Sequence, residues 1–516
     1  MSVEQHMQLV RALQSQHPFP HPVDEVELME THISSVLLAG DYAYKIKKPL
    51  DFGFLNFLKL EDRKHFCEEE IRLNRRLAPE IYLEAIPIRG SIFKPELEGD
   101  GPIIEYAVKM RRFDQDKLLD KLLAAGKLTN EIIDDIADDI ATFHATAAVA
   151  DNTTELGSAE SVYAPVAQNF AQIRPLLDDE AQLDQLDRLE AWSEAQFFQL
   201  KPLLEQRKAD GFIRECHGDM HLGNITIVDD KVVIFDGIEF NDEFRWIDVM
   251  SELAFITMDL TDRGVAPMAQ RLMNRYLEQT GDYAGLPLLR FYQVYRAIVR
   301  AKIAGFRLGQ EGLSDADRQA VLKAYQSYTD LAESFTRETS PVVLLMRGVS
   351  GSGKSWLSQQ LLETIGAFRI RSDKERKRLF AATAVSSGDL NSGLYAPELT
   401  EKTYQRLLDL TKTISAAGYG VIIDATFLRQ QQIQPFVTSA EASGIPLTVI
   451  TTTADRAVLE ERLTKRAAEA DNISDATTSV LTYQLENMEP VPAGIPHIKV
   501  DTGQPIDVGA LIKQLS

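Results

Sequence analysis

The sequence has few cysteines and no long apolar run. Only two cysteines, Cys67 and Cys216, occur in 516 residues, which excludes a disulfide-rich secreted domain and is typical of a reducing compartment. No apolar run approaches the roughly 20 residues that cross a bilayer, and the first residues lack a basic region followed by an apolar stretch. We therefore expect a cytoplasmic protein that makes no membrane contact.

The sequence also lacks an excess of positive charge. It has 55 basic and 77 acidic residues, for a formal net charge of −22 at pH 7. Because phosphate backbones bind basic surfaces, this balance disfavours a general nucleic-acid binder, and nucleotide binding must be local. A hydrophobic content of 44% and a charged content of 26% are typical of globular proteins. The length exceeds that of one core, since domains usually have about 100–200 residues.

The first part of the chain alternates short β-branched and aromatic runs with turn residues. This pattern predicts strands at 31–38, 42–47, 81–88 and 103–109, interrupted by one helix at 60–77. From about residue 130 the apolar residues recur at helical spacing, and helical sequence continues to about residue 337. We expect a small N-lobe at 1–109 and a helical C-lobe at 110–337.

A polar stretch at 336–341 precedes a different pattern. Strands are predicted at 341–347, 367–371, 418–424, 447–453 and 497–501, each pair separated by helical sequence. This alternation predicts a parallel five-stranded sheet covered on both faces, in a third segment at 338–516.

A glycine-rich phosphate-binding motif follows the first of these strands. It has the form G-x-x-x-x-G-K-S from Gly348 to Ser355, with a further glycine at Gly351. Gly353 and the other glycines let backbone N–H groups turn toward phosphate oxygens, Lys354 reaches the β- and γ-phosphates, and the Ser355 hydroxyl binds Mg²⁺.

Acidic and basic residues follow the other strands of this segment. Asp424 ends a strand, where it can lie near the metal or can instead cap a helix. Asp373 and Arg376 are three apart on an opening helical turn, which suits an acid that accepts a proton and an arginine that holds phosphate. Arg462 and Arg466 share a helical face before the polar loop 469–474; they either close over the phosphate or are exposed charges.

The motifs G-x-x-x-x-G-K-S, S-D-x-x-R, I-I-D-A-T and S-D-A (474–476) resemble those of the zeta-toxin, gluconate-kinase and polynucleotide-5′-kinase-related P-loop kinases. The resemblance covers about residues 340–516 and implies that Asp373 is the base toward an acceptor hydroxyl. Relatives often have more basic residues after D-A-T, whereas here Arg429 is followed by three glutamines and Ile433. This difference argues against a nucleic-acid acceptor.

A second set of catalytic residue types lies in the helical segment. Asp219 and Asn224 have the D-x-x-x-x-N spacing of a kinase catalytic loop, and Asp236 ends a strand twelve residues later. Upstream, Lys45 has the A-x-K form of a phosphate-binding lysine, with Glu70 as its expected partner on the next helix. Lys47 and Lys48 are either solvated or substitute for Lys45.

A rival interpretation uses His217, Asp219 and His221 as metal ligands, but the glycines around them indicate a loop and not the helix of an H-E-x-x-H site. We expect His144 to be a packed or capping histidine. Cys216 is expected to be a small buried side chain.

The set H-G-D-x-x-x-x-N, F-D-G, A-x-K and a helical glutamate is similar to the aminoglycoside phosphotransferase and choline kinase superfamily over about residues 25–335. This resemblance implies that Asp219 is the catalytic base, that Asn224 and Asp236 bind magnesium, and that Lys45 with Glu70 anchors phosphate; Asp248 would be structural at best. The first hairpin departs from the pattern, since it has only Gly40 and no G-x-G-x-x-G.

The combined fold class is an α+β protein-kinase-like bilobal domain followed by an α/β P-loop NTPase domain. The leading hypothesis is a bifunctional kinase whose two domains each use Mg-ATP to phosphorylate a hydroxyl of a small molecule. Two alternatives stay open: a single active P-loop kinase with a binding or regulatory kinase-like domain, and a nucleotide-switch ATPase.

Overall fold

The computed structural model describes residues 1–53, 55–308, 314–380, 397–467 and 478–515. The chain divides into two compact units, of which the first comprises residues 1–259 and 295–325 and the second comprises residues 260–294 and 326–516. None of the helices within those described ranges is long and apolar enough to cross a membrane. The predicted boundaries at 109 and 337 stay predictions.

The first unit begins with a six-stranded antiparallel sheet. Its helices are α1 (Val3–Gln16) and α2 (Leu60–Asn74), and its strands are β1 (Val26–Glu30), β2 (Ser34–Ala39), β3 (Tyr42–Lys47), β4 (Tyr82–Ser91), β5 (Lys94–Glu96) and β6 (Ile103–Arg111). The strand order is β1-β2-β3-β6-β4-β5. Leu9 and Leu13 of α1 pack in one core cluster with Leu37 and Ile46 of the sheet, and this burial of apolar side chains stabilises the sheet.

Several details of this region differ from the sequence prediction: strands β1 and β5 were not predicted, and β4 and β6 end at Ser91 and Arg111, beyond the predicted ends at 88 and 109. The predicted strand 31–38 is the turn and second strand of a hairpin: β1 ends at Glu30, and the Thr31 hydroxyl accepts a hydrogen bond from the Ser34 N–H at 2.9 Å. Side-chain bonding of this kind favours turns over strands. Helix α2 ends at Asn74, three residues before the predicted end at Leu77.

The remainder of the first unit is mainly helical. Its helices are α3 (Leu119–Ala124), α4 (Asn130–Thr146), α5 (Ala159–Ile173), α6 (Glu180–Ala209), α7 (Asp242–Arg245) and α8 (Val249–Asp262), the last of which ends in the second unit. Two small antiparallel sheets interrupt them: β7 (Ile213–Glu215) pairs with β10 (Trp246–Asp248), and β8 (Ile225–Val228) pairs with β9 (Lys231–Ile234). Short 3₁₀ turns occur at Gln115–Lys117, Arg174–Leu176, Leu222–Asn224 and, in the second unit, Tyr283–Gly285. A small sheet followed by a helical lobe is the predicted kinase-like architecture.

Three long helices follow. Helix α9 (Ala266–Thr280) lies within the second unit, whereas α10 (Leu286–Leu308) and α11 (Asp315–Thr336) each include residues of both units. A proline in the first turn of α9 and Gly281 at its C-terminal cap, with φ of 75°, account for the two ends of that helix.

The second unit contains the predicted five-stranded sheet, and all of its strands are parallel. The strands are β11 (Val343–Arg347), β12 (Phe368–Arg371), β13 (Val421–Asp424), β14 (Leu447–Thr453) and β15 (His497–Asp501). Their order is β12-β13-β11-β14-β15. The other helices are α12 (Lys354–Ile365), α13 (Ser372–Phe380), α14 (Pro397–Ala416), α15 (Gln430–Ala442), α16 (Arg456–Ala467), α17 (Thr478–Glu486) and α18 (Val508–Leu515). This arrangement confirms the P-loop NTPase fold class.

Side chains of α9 and the turn after it cover the outer edge of strand β12. Asn274 Nδ2 and Gln270 Nε2 donate to the Ala367 carbonyl at 3.3 and 2.8 Å, and Asn274 Oδ1 accepts from the Arg369 N–H at 2.7 Å. The Tyr283 hydroxyl donates to the Arg369 carbonyl at 3.4 Å. These bonds satisfy backbone groups that an edge strand otherwise leaves unpaired.

Candidate active sites

Strand β3 and helix α2 bring the predicted phosphate-binding lysine to its partners. Lys45 Nζ lies 2.8 Å from Glu70 Oε1 and 2.5 Å from Asp236 Oδ1. Burial favours the neutral amine, yet the carboxylates of Asp236 and Glu70 raise the pKa of Lys45 well above its ordinary value. Lys45 is therefore a fixed cation beside the predicted metal ligand Asp236.

The second lysine of the strand has different partners. Lys47 Nζ lies 2.6 Å from Glu70 Oε2 and also donates to Glu239 Oε1, and the Lys47 side chain is fully buried. Burial opposes its charge, but Glu239 and Glu70 raise the pKa of Lys47. Because Lys47 has no exposed surface whereas Lys45 contacts Asp236, the geometry favours Lys45 as the phosphate anchor and Lys47 as a structural cation. Lys48 pairs with Glu30 and is not part of this group.

The predicted catalytic loop lies between β7 and β8. Asn224 Nδ2 donates to the Asp219 backbone carbonyl at 3.0 Å and to Asp219 Oδ2 at 3.1 Å, and His221 Nε2 lies 3.6 Å from the same oxygen. Burial alone would raise the pKa of Asp219, but His221 and His217 hold it below the ordinary value. With 36% of its side chain exposed, Asp219 is an ionised carboxylate that a substrate can reach.

A buried glutamate of α8 supports this loop. Glu252 Oε1 accepts hydrogen bonds from the backbone N–H groups of His217 and Gly218 at 2.8 and 2.7 Å, and Glu252 Oε2 lies 2.9 Å from His144 Nε2. His144 is thus a packed histidine, as predicted. Gly218 has φ of 88°, and a Cβ there would lie 2.7 Å from the Phe244 carbonyl oxygen, so the loop requires glycine.

Within the described ranges, one group of side chains has the spacing of a metal site: His144, Cys216 and Glu252. Both carboxylate oxygens of Glu252 already have hydrogen-bond partners in the protein. The Cys216 thiol is free and buried, and burial raises its pKa well above the ordinary value, which disfavours the thiolate that a metal needs. These contacts identify a structural group.

The residues around Asp236 fit a hard divalent cation. Asp236 has a left-handed backbone, with φ of 63°, and its N–H donates to the Tyr82 hydroxyl at 3.1 Å. This leaves its carboxylate next to Lys45 and 44% exposed. Magnesium prefers oxygen ligands, and the Asp236 carboxylate and the Asn224 amide oxygen are of that type.

In the second unit, strand β11 is followed by the phosphate-binding loop. Gly348, Gly351 and Gly353 have φ of 150°, 80° and 84°. A Cβ at Gly348 would lie 2.5 Å from Ser352 Oγ and 2.7 Å from the Thr452 carbonyl oxygen. These glycines are therefore required by backbone conformation and by close packing.

The polar side chains of this loop converge with strand β13. Ser355 Oγ donates to Asp424 Oδ2 at 2.6 Å, and Lys354 Nζ donates to the Val349 carbonyl at 2.9 Å. A hydroxyl in the first turn of α12 and a carboxylate at the carboxyl end of β13 fit the ligands of a magnesium nucleotide. Gln484 Oε1 accepts from the Ser350 N–H at 2.7 Å.

The predicted acceptor residues lie at the start of α13. Asp373 is held by Arg371, whose Nε and Nη2 donate to the two carboxylate oxygens at 3.2 and 2.8 Å. Arg376 lies near Tyr404, where its positive charge opposes the upward shift that burial gives to the pKa of that phenol. Tyr404 in turn lies 3.3 Å from the Thr426 hydroxyl of the D-A-T segment.

Arg462 contacts the backbone of the loop. Its Nη1 donates to the Gly351 carbonyl at 3.2 Å and to Thr502 Oγ1 at 2.9 Å, and its Nη2 donates to the Thr502 carbonyl at 2.8 Å. The side chain of Arg466 and the predicted loop 469–474, with the S-D-A triplet 474–476, lie outside the described residues.

Several residues near these sites were not predicted from the sequence. Glu239 follows Asp236 by three positions, Glu252 lies in an apolar helix, and Arg371 directly precedes the S-D-x-x-R motif. A charged residue inside an apolar helix, such as Glu252, indicates a buried ion pair or hydrogen bond, because a buried charge needs a partner. The identity of that partner depends on long-range folding.

Comparisons with known proteins match two parts of the chain to known families. Residues 63–291 match the phosphotransferase enzyme family, and residues 343–491 match an AAA domain. Uncharacterized proteins of Mycobacterium tuberculosis and Mycobacterium bovis are 30% identical over 415 residues, which are 79% of this chain and 80% of each relative.

Solved structures of kinases also match. A choline/ethanolamine kinase family protein from Mesorhizobium loti is 14% identical, covers 64% of this chain and 97% of its own, and has a TM-score of 0.40. A gluconokinase from Sinorhizobium meliloti is 20% identical, covers 34% of this chain and 90% of its own, and has a TM-score of 0.25. The 30% identity shows that the chain belongs to the same family as the mycobacterial proteins, and the two family matches show an ATP-dependent kinase that combines a phosphotransferase-family domain with a P-loop domain.

Proposed function

We propose that the chain is a bifunctional phosphotransferase, in which each domain transfers the γ-phosphoryl group of ATP to a hydroxyl of a small molecule. The observation that carries this proposal is the presence of two separate residue sets, one in each unit. Each set has a lysine that is proposed to bind phosphate, oxygen-bearing side chains that would hold magnesium and a carboxylate that is proposed to act on the acceptor. Two free, buried cysteines agree with the proposed cytoplasmic location.

In the first unit, Asp219 is proposed to accept the proton of the acceptor hydroxyl. The acceptor oxygen then bonds to the γ-phosphorus, the bond to the β,γ-bridging oxygen breaks, and ADP leaves. Lys45, oriented by Glu70, binds the phosphates. Asn224 and Asp236 would hold magnesium, which neutralises phosphate charge when it is bound.

In the second unit, Asp373 is proposed to be the corresponding base. The backbone of the loop around Gly348, Gly351 and Gly353 and the Lys354 ammonium bind the phosphates, and Ser355 with Asp424 would hold magnesium. Arg376 is proposed to stabilise the charge of the transferred phosphoryl group. Arg462 and Arg466 are proposed to complete the phosphate site, and the contact between Arg462 and the Gly351 carbonyl supports this role.

The charge distribution supports a small acceptor over a nucleic acid. The chain has a formal net charge of −22, which repels polyanions at long range. The helix that follows D-A-T begins with Gln430, Gln431 and Gln432, and these three residues bring no positive charge to the start of α15.

The experiment is an acceptor screen with labelled Mg-ATP. Aminoglycosides, sugars, amino alcohols and nucleosides are each incubated with wild type, Asp219→Ala, Lys354→Ala and the double variant. Asp229→Ala and Lys402→Ala are matched controls, because Asp229 is exposed and Lys402 is a surface residue of α14.

Two classes of phosphorylated product are expected, one lost in Asp219→Ala and the other lost in Lys354→Ala, by at least about 100-fold each. The double variant should have neither activity. If Asp219→Ala leaves every transfer intact, the first domain is a binding module and the bifunctional proposal is wrong. If ATP is hydrolysed while no acceptor gains phosphate, the chain is a nucleotide-switch ATPase.

A further inference from the structure

The carboxylate of Asp373 is linked to helix α9 through one arginine. Arg371 donates to both oxygens of Asp373, and the same guanidinium lies 3.8 Å from Glu278 Oε2 on its other side. Only 7% of the Glu278 side chain is exposed. Arg371 is thus shared between a proposed catalytic carboxylate and a buried carboxylate that belongs to another helix.

Glu278 is itself held in place. Arg369 Nε and Nη2 both lie 2.7 Å from Glu278 Oε1, and the Arg369 N–H is bonded to Asn274 one turn earlier on the same helix. A carboxylate that makes these charge-assisted bonds in a buried setting has little freedom to move. The position of Glu278 relative to strand β12 is therefore fixed.

Helix α9 also contacts the far end of α13, the helix that begins with Ser372 and Asp373. Arg378 Nη2 donates to the carbonyls of Glu278 and Gln279 at 2.8 and 3.3 Å. Cations are favourable at a helix C-terminus, where carbonyls lack partners within the helix. The C-terminal turn of α9 therefore contacts the end of α13 through Arg378. The same turn is linked to Asp373, at the start of α13, through Arg371.

The charged groups around Arg371 and Glu278 indicate how Glu278 can influence Asp373. The charged groups that act on Arg371 or on neighbouring Lys374 are Asp373, Glu278, Asp424 and Arg275. Burial opposes the charge of Arg371, but Asp373, Glu278 and Asp424 raise its pKa. If Glu278 loses its charge, the guanidinium interacts more strongly with Asp373 and makes that carboxylate a weaker proton acceptor.

We propose that Glu278 is a positioning residue for the P-loop kinase reaction, which sets the orientation and the charge environment of Asp373 through Arg371. This inference rests on the proposed role of Asp373 as the base of the second unit. It assigns to the P-loop reaction a residue that lies outside the matched AAA domain, within residues 63–291 of the phosphotransferase match.

The test uses the full chain with Asp219→Ala, so that only the P-loop site turns over. Phosphate release from Mg-ATP, with water as the acceptor, is measured for Glu278→Gln, Glu278→Asp, Asp373→Asn and the double variant Glu278→Gln/Asp373→Asn. The matched control is Glu363→Gln, because Glu363 pairs with Arg271 of the same helix at 2.8 Å and has a similarly low exposure of 16%.

Glu278→Gln should lower kcat by about 10-fold or more while the KM for ATP stays within about twofold, since Glu278 contacts Arg369 and Arg371 and reaches the Ser355 carbonyl only indirectly, through Arg369. Glu278→Asp, which keeps the charge, should recover part of the loss. In the double variant, Glu278→Gln should have no further effect, because a residue that acts through Asp373 has nothing to act on when that carboxylate is absent. Glu363→Gln should keep the kcat of its parent.

If Glu278→Gln lowers kcat by the same factor in the parent and in Asp373→Asn, the proposal is overturned and Glu278 has a structural role. An unchanged kcat in Glu278→Gln would also overturn it. If Asp373→Asn keeps full activity, the base role of Asp373 is wrong and the proposed function of the second unit fails with it. Should Glu278→Gln not fold, the same comparison is made with Glu278→Asp alone and combined with Asp373→Asn.

Discussion

At the scale of single residues, the two lysines of strand β3 differ in what surrounds them. Lys47 pairs with Glu70 and Glu239 in a buried site, whereas Lys45 contacts Asp236, whose carboxylate is 44% exposed. Both lysines are thus buried, and they differ in that Lys45 contacts an exposed carboxylate whereas Lys47 contacts only buried ones.

We expect Lys47→Met to destabilise the first unit by about 3–5 kcal/mol, because it leaves buried carboxylates without a cation. Lys45→Met should be less destabilising, since Lys47 still pairs with Glu70, but it should abolish Mg-ATP binding at this site. Thermal unfolding and calorimetric ATP titration in a Lys354→Ala background measure the two effects. Equal losses of stability, or ATP binding that survives in Lys45→Met, would contradict the assignment.

His6 predicts a pH dependence of stability. Its ring lies 2.9 Å from Ser35 Oγ and is buried, and burial lowers the pKa of His6 to about 4. The unfolded chain, with a histidine pKa of about 6.5, binds more protons between those values, so stability is full above the unfolded pKa and falls as pH decreases toward 4.

Between pH 7.5 and 5 this histidine should cost about 2 kcal/mol of unfolding free energy. His6→Gln keeps a polar group near Ser35 but does not titrate, so its stability should fall less over the same range. Urea unfolding of both proteins at several pH values measures the difference. Parallel curves for the two proteins would show that His6 is not responsible.

At the scale of elements, helix α12 has a left-handed glycine at each end. Gly353 precedes it with φ of 84°, and a Cβ there would lie 3.0 Å from Thr502 Cβ; Gly366 follows it with φ of 67°, and a Cβ there meets no atom within 4 Å. A residue with a Cβ would therefore be strained to a similar degree at the two ends of α12. It would meet another side chain only at the phosphate-binding end.

Gly353→Ala and Gly366→Ala should each cost about 1 kcal/mol of stability from the backbone conformation. Only Gly353→Ala should in addition lose Mg-ATP binding at the P-loop, because the added methyl displaces the loop. Calorimetric titration in an Asp219→Ala background compares them. Normal ATP affinity in Gly353→Ala, or an equal loss in both variants, would contradict this account.

The strands of the P-loop domain were predictable from the sequence because each is a short apolar run between helical segments. Strands β14 and β15 were predicted with the observed ends, 447–453 and 497–501, and the other three begin one to three residues later than predicted. Asp219, Asn224 and Asp236 are predicted site residues on the basis of their spacing, and the structure places Asn224 next to Asp219 and Asp236 next to Lys45.

The parts that were missed depend on contacts between distant residues. The hairpin before Ser34 was missed because the turn depends on one threonine hydroxyl within a β-branched run. The proposed role of Glu278 could not be predicted because periodicity shows that a helix has an apolar face but does not identify the partners of its charged residues, and Arg369 lies 91 residues away. Local patterns predict elements, whereas ion pairs between elements require the folded chain.

At the scale of the whole molecule, the family match and the compact units divide the chain differently. The phosphotransferase match extends to residue 291, yet residues 260–294 belong to the compact unit that contains the parallel sheet. A fragment that begins at residue 338 therefore lacks α9.

Such a fragment should self-associate, because the Ala367 carbonyl and the Arg369 N–H lose Asn274 and Gln270 and become available to another strand. Light scattering of the fragment should show oligomers at concentrations where the full chain does not. A monomeric fragment 338–516 with the ATP affinity of the full chain would contradict this expectation.

Because α9 covers the edge of β12, the P-loop domain cannot be separated from the rest of the chain at residue 337 without exposing that edge. Two domains in one chain are often treated as exchangeable parts joined at a linker, but here a helix within the phosphotransferase match completes the sheet of the P-loop domain. Recombination at residue 337 would separate the P-loop strands from the side chains that finish their edge. A truncated or exchanged P-loop domain therefore needs to include residues 260–294 as well as the P-loop segment.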